Sequence, residues 1–194
     1  MFAGCAGLTD IRVSPSNPNY SVQDDMLLNK AGTALVAYPS ASGAVTLPSV
    51  KTVVVGAFGF CAALETVNLP AATTIEGDAF DSCAALKTAS LPVATDIGDY
   101  AFKNCAALVS ADLSAAQAIR GNAFSSCTAL ESLTLGTTIP TLGGIVFYDA
   151  GRDTSEGFTI YVPDEMAKTA LETEIDDTGS GWHEALKDTS SWGI

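Results

Sequence analysis

Four cysteines, Cys61, Cys83, Cys105 and Cys127, follow one another at intervals of 22 residues. Phe58, Phe80, Phe102 and Phe124 keep the same interval, as do Leu64, Leu86, Leu108 and Leu130, and Ala57, Ala79, Ala101 and Ala123. A fifth column runs through Leu47, Leu69, Leu91, Leu113 and Leu135, and a sixth through Val53, Ile75, Ile97 and Ile119. A unit of 22 residues is too short to bury an apolar face alone. Neighbouring copies must therefore stack, so that each apolar column becomes a ladder in a continuous core.

Within each unit the stretch Thr66-Val67-Asn68-Leu69 alternates polar and apolar residues, the period of a half-buried strand. Its counterparts are Thr88-Ala89-Ser90-Leu91, Ser110-Ala111-Asp112-Leu113 and Ser132-Leu133-Thr134-Leu135. Stacked in parallel about 4.8 Å apart, they predict a narrow sheet along one face. The Gly-Asp-Ala-Phe-Asp-Ser-Cys type of segment then crosses the opposite side, expected as a short helical or 3₁₀ turn.

The unit Ala-Phe-x-x-Cys-x-x-Leu-x-x-x-x-Leu-Pro resembles the BspA-like leucine-rich repeats of bacterial surface proteins. The match is tight over residues 45–147 and looser in the flanks, where Phe2, Cys5 and Leu8 repeat the Phe-x-x-Cys-x-x-Leu spacing. The chain thus opens inside a unit, and Met1-Phe2-Ala3-Gly4-Cys5 lacks the basic start and apolar run of a signal peptide. The resemblance implies a β-rich α/β solenoid, a leucine-rich-repeat arc of 22-residue units with a parallel sheet on its concave face. It also implies a cell-surface or secreted setting, since proteins of this kind include adhesins that bind host matrix proteins. Three regions are expected: irregular N-terminal units with a hairpin over 1–44, the regular solenoid over 45–163, and a helical C-terminal cap over 164–194. The hairpin is read as Met26–Asn29 and Thr33–Tyr38 turning at Lys30-Ala31-Gly32.

Departures from the pattern gather at the ends. Ser114 and Gly136 replace the prolines Pro48, Pro70 and Pro92, and the last unit slips by one residue to reach Phe147. The strand Thr159–Pro163 arrives late, after Asp149–Gly157. Asp164-Glu165 opens a helix expected to run to about Glu174, with acidic residues suitably placed at its N-terminus. Asp176–Gly181 reads as a flexible turn, after which Trp182, Leu186 and Trp192 are expected to fold back over the last rung.

Charge and chemistry narrow the function. With 9 Lys+Arg against 22 Asp+Glu the net charge is −13, which excludes a nucleic-acid partner because phosphate neutralisation needs clustered cations. No apolar run approaches the roughly 20 residues of a membrane-spanning helix. The repeat cysteines lack the paired spacing of a metal site. They read as buried free thiols, with a disulfide or metal role as the alternative. His183 has no accompanying nucleophile signature, so no catalytic residue and no cofactor is assigned. The pairs Asp24-Asp25 and Asp176-Asp177 are weighed as calcium ligands against solvated turns, the second pair being the better candidate. The Asn19-Tyr20-Ser21 sequon and Gly143-Gly144 carry no further assignment.

The strand positions left outside the core are Thr66, Asn68, Thr88, Ser90, Ser110, Asp112, Ser132 and Thr134. They are the candidate protein-binding residues, weighed against a polar ladder that only keeps the surface soluble. Tyr20, Tyr38, Tyr148 and Tyr161 are rival contact points, with Tyr161 alternatively packed under the cap. The expectation is a noncatalytic module that binds a host matrix or surface protein; the alternative is a structural spacer within a longer array.

Overall fold

The computed structural model describes residues 2–178 except Ala6, Thr9 and Glu156, with the backbone alone for residues 174–178. These residues wind as a leucine-rich-repeat solenoid about one apolar core. Strands β1 (Tyr20–Gln23), β2 (Met26–Asn29) and β3 (Ala34–Ala37) open it as an antiparallel meander. The expected hairpin between β2 and β3 is present. Asn29 holds its turn, with Oδ1 accepting from the Thr33 and Ala34 amides at 2.8 and 3.0 Å. Strand β1 adds to the sequence expectation. Asp24 and Asp25 have φ of 48° and 61°, the conformation of the central pair of a two-residue hairpin turn, so this carboxylate pair forms the tip of the β1–β2 hairpin.

Beyond the meander each turn of the solenoid contributes to two sheets, where a single narrow sheet was expected. Strands β4 (Ser42–Thr46), β6 (Ala63–Asn68), β8 (Thr88–Ser90), β10 (Ser110–Leu113), β12 (Ser132–Leu135) and β14 (Thr159–Tyr161) form a six-stranded parallel sheet in that order. The two-residue strands β5 (Thr52–Val53), β7 (Thr74–Ile75), β9 (Asp96–Ile97), β11 (Ala118–Ile119) and β13 (Thr141–Leu142) extend the meander into an eight-stranded sheet. The same 22-residue interval that stacks the long strands also sets Ile75 against Ile97 and Ile97 against Ile119. Two residues per rung suffice once the neighbouring rungs are held.

The Phe-containing segments are tight turns, not the helical or 3₁₀ turns expected. Each contains two left-handed residues four positions apart: Asp78 and Ser82, Tyr100 and Asn104, Asn122 and Ser126, with φ from 55° to 61°. Left-handed backbone stops a right-handed helix from propagating. It also frees amides and carbonyls to bond between rungs: Phe58 N to Ala79 O at 2.8 Å, Phe80 N to Ala101 O at 2.7 Å, and Phe102 N to Ala123 O at 2.8 Å. In a helix those groups would bond within their own segment.

The core follows the repeat columns. Phe58, Phe80, Phe102, Phe124 and Phe147 stack with centroids 4.8, 4.9, 5.1 and 5.6 Å apart. Tyr38 occupies the equivalent slot one rung earlier, tilted on Phe58 at 6.0 Å, so it belongs to the stack instead of forming a contact point. Backbone crowding explains Gly136 in the proline column: a Cβ there would lie 2.0 Å from Ser114 O. At the C-terminal end α1 (Glu165–Thr178) starts from Asp164, whose Oδ1 accepts the Ala167 amide at 2.9 Å. Ala167 and Leu171, one turn apart, are buried in the core.

The helix outruns the expected end near Glu174. Asp176 and Asp177 are therefore helical and not part of a loop, which removes the flexible backbone that wraps a calcium ion. Gly179–Gly181, His183, Trp182, Leu186 and Trp192 lie outside the described residues.

Cys61, Cys83, Cys105 and Cys127 are buried free thiols, and each has a hydrogen-bond acceptor. Cys83, Cys105 and Cys127 donate to the carbonyls of Phe58, Phe80 and Phe102 at 3.0, 3.1 and 3.1 Å, and Cys61 donates to Tyr38 O at 3.2 Å. The column therefore ties rungs together as well as filling space. Serine keeps that donor, whereas alanine leaves the Phe58 carbonyl with the Cys61 amide alone, at 3.0 Å. Urea unfolding of Cys83→Ser is expected to show a smaller loss than that of Cys83→Ala. A larger loss for serine, by about 1 kcal/mol or more, would mean that its hydroxyl is buried unpaired.

Candidate functional site

All eight residues singled out from the alternation lie on the outer face of the six-stranded sheet, in two register-locked columns. Thr66, Thr88, Ser110 and Ser132 face one another across successive rungs, and the column ends on Thr159. Asn68, Ser90, Asp112 and Thr134 form the second, which begins at Thr46 and ends at Tyr161. Between them run Val67, Ala89, Ala111, Leu133 and Ile160, all buried. Thr46, Thr159 and Tyr161 complete the columns. Thr46 keeps the 22-residue interval to Asn68, whereas Thr159 and Tyr161 follow Ser132 and Thr134 by 27 residues, so the repeat spacing does not reveal these two as column members.

The columns are not uniform. Asp112 is turned onto its own chain: its Oδ1 accepts from the Ser114 amide at 3.1 Å and from the Ser114 hydroxyl. This closes the one turn in which serine stands for the column's proline, so Asp112 is the least available of the eight. Thr134 is exposed, and the other seven are half-buried. Tyr161 is 45% exposed on the outer face; Thr134↔Tyr161 pairing places it on the side away from buried Ile160. Tyr20 and Tyr148 are exposed elsewhere.

Beside these columns Glu65 accepts Lys87 Nζ at 2.8 Å across one rung. The hydrogen bond and the charge of Lys87 hold the Glu65 carboxyl below its ordinary range. On the other sheet Arg120 makes a two-pronged pair with Asp96, at 2.9 and 3.0 Å. At the C-terminal end the loop between β13 and β14 borders a cavity of about 310 Å³, lined by Glu131, Ser132, Thr154, Ser155, Gly157, Thr159 and Tyr161. Among the described residues no group of three or more His, Cys, Asp or Glu could hold a metal ion. No described helix is long and apolar enough to cross a membrane.

The family model of the BspA-type leucine-rich repeat region matches residues 41–154 in 6 copies. The chain belongs to this family. The structure of a leucine-rich repeat protein from Eubacterium ventriosum superposes with a TM-score of 0.72 at 28% identity, over 84% of this chain and 44% of that one. The pneumococcal vaccine antigen PcpA gives a TM-score of 0.63 at 20% identity, over 83% of this chain and 46% of its own. This BspA-type chain thus spans less than half the length of either protein. No curated protein matches it in sequence.

The hydroxyls of this BspA-type sheet are spread over a surface already closed by backbone pairing. Thr88→Ala and Ser90→Ala are each expected to change the unfolding free energy by no more than about 0.5 kcal/mol. Chemical denaturation checks this, and a loss of several kcal/mol at either position would place it in the core.

Proposed function

We propose that this chain is a noncatalytic protein-binding module of a bacterial cell-surface or secreted protein, and that it binds a host matrix or surface protein through the outer face of its six-stranded sheet. The observation that carries the reading is the pair of polar columns ending at Thr159 and exposed Tyr161. A rigid parallel sheet presents them in fixed register, and such surfaces are what repeat arcs offer to partners. The aromatic end of the second column supplies a contact of the kind that dominates interface energetics, which the serines and threonines do not. The net charge of −13 favours partners with basic patches and makes association faster at low salt. Membership of the BspA-type family supports the surface setting, and the family resemblance supports adhesion.

Surface plasmon resonance against a panel of host matrix proteins tests this. Binding is expected to weaken as salt is raised, and to be lost in Asn68→Arg and Thr134→Arg, which set bulky side chains on the face. Gln117→Arg, on an exposed residue away from that sheet, is expected to bind normally. Absence of binding across the panel would favour the spacer reading.

A further inference from the structure

We propose that the cavity at the C-terminal end of the six-stranded sheet accepts a lysine or arginine side chain of the bound protein. This inference rests on the protein-binding reading above and names the chemistry of one subsite within it. The argument starts from Glu65 and Lys87, which stand one rung apart at the same position of the repeat. There the carboxylate and ammonium meet at 2.8 Å. Val109 and Glu131 occupy that position on the next two rungs. Glu131 has Val109 on one side. On the other is Phe158, the residue before Ser132's partner Thr159, and it is buried in the core.

The ladder therefore brings no cation to Glu131, and among the described residues it has no ion-pair partner. The nearby loop carries Arg152, but that guanidinium is engaged by Asp149 at 3.2 Å and Asp153 at 3.5 Å. Glu131 instead borders the 310 Å³ cavity, together with the hydroxyl side chains of Ser132, Thr154, Ser155 and Thr159 and the ring of Tyr161. An ammonium or guanidinium group in this space meets a carboxylate for a charge-assisted bond, hydroxyl oxygens for its remaining N–H groups, and an aromatic ring. The chain shows the last contact internally, with Lys103 Nζ 5.1 Å from the centroid of the Tyr100 ring. An anionic side chain would be repelled by Glu131, and an apolar one would strand the hydroxyls.

The test is an amide NMR titration of the full chain with N-acetyl-arginine methylamide, and with the citrulline analogue, which has the same shape without the charge. Saturable shifts confined to residues around 131–132 and 154–161 are expected with the arginine probe and not with citrulline. Glu131→Gln is expected to weaken the arginine probe about tenfold or more, the equivalent of about 1.4 kcal/mol, with its far-UV dichroism and melting unchanged. Equal response to both probes, no saturable shifts, or an unchanged affinity in Glu131→Gln would overturn the inference. A flat titration alongside genuine binding to the matrix panel removes this subsite and leaves the module reading standing. A saturable arginine response with an empty panel keeps the subsite's chemistry and counts against the module reading.

Discussion

Replacing Phe80 by alanine is expected to lower the unfolding free energy by about 4–5 kcal/mol, the upper end of the range for deleting a buried ring. Phe80 is fully buried, between Phe58 at 4.8 Å and Phe102 at 4.9 Å. The cost of such a cavity depends on how far the surroundings can collapse. Here collapse would have to shorten the solenoid along its axis. That spacing is held by backbone bonds on both sides of the ring, Phe58 N to Ala79 O and Phe80 N to Ala101 O. The stacked contacts with both neighbouring rings are lost as well. Because stability in a repeat array is a sum of units and interfaces, the central position weakens two interfaces at once. Urea titration followed by circular dichroism measures the loss. A change below about 1.5 kcal/mol would show that the rungs can close over the gap and that the stack is not a rigid column.

Alkaline pH is expected to destabilise the fold through the cysteine ladder. Burial pushes the Cys105 and Cys127 thiols upward, and hydrogen bonding to Cys105 together with burial raises Cys83. Cys61, raised by burial and then by Cys83, reaches about 12. In the unfolded chain a cysteine titrates near 8.5. Above that pH the unfolded state releases protons that the native state keeps, so stability is complete below about pH 8.5 and falls as pH rises towards the native values. One unit above the unfolded pKa each fully buried thiol costs about 1.4 kcal/mol. Cys83, Cys105 and Cys127 together cost about 4 kcal/mol near pH 9.5. Urea midpoints between pH 7 and 10 are expected to fall accordingly. Cys61 adds to the same slope, so between pH 8.5 and 9.5 it should shrink by about a quarter in Cys105→Ser, which removes one raised thiol of the four. A flat profile in the wild-type chain would mean that these groups ionise in the native state. Native thiols at these positions are also expected to resist alkylation, since only the thiolate reacts.

Much of the candidate surface could be read from the alternation of Thr66-Val67-Asn68-Leu69 and its copies, because a strand in a repeat must turn every second residue inward. Strand β1 could not. Its signal is the Asp24-Asp25 turn, and two aspartates in left-handed backbone lack the Asn-Gly or Asp-Gly signature that marks such hairpins. In the cross-rung turns the Ala-Phe-x-x-Cys spacing suits one face of a helix as well as a tight turn, so the sequence alone does not separate the two. What excluded a helix was competition for the backbone groups, which bond to the adjacent rung. The cysteine acceptors were hidden for the same reason: Phe58 O reaches Cys83 only once two units are stacked.

The sequence by itself determined the architecture and the family. A period of 22 residues held by six apolar columns admits no compact arrangement other than stacked units, and every column is a local property of its own unit. The tertiary structure alone decided which surface groups are spent and which remain open. Glu65 finds Lys87, Arg120 finds Asp96, and Glu131 is left beside Val109 and Phe158. Those outcomes depend on which residue the neighbouring rung delivers to each position. At the C-terminal end that in turn depends on a loop whose length breaks the repeat, so distance in space and not distance along the chain sets the pairing.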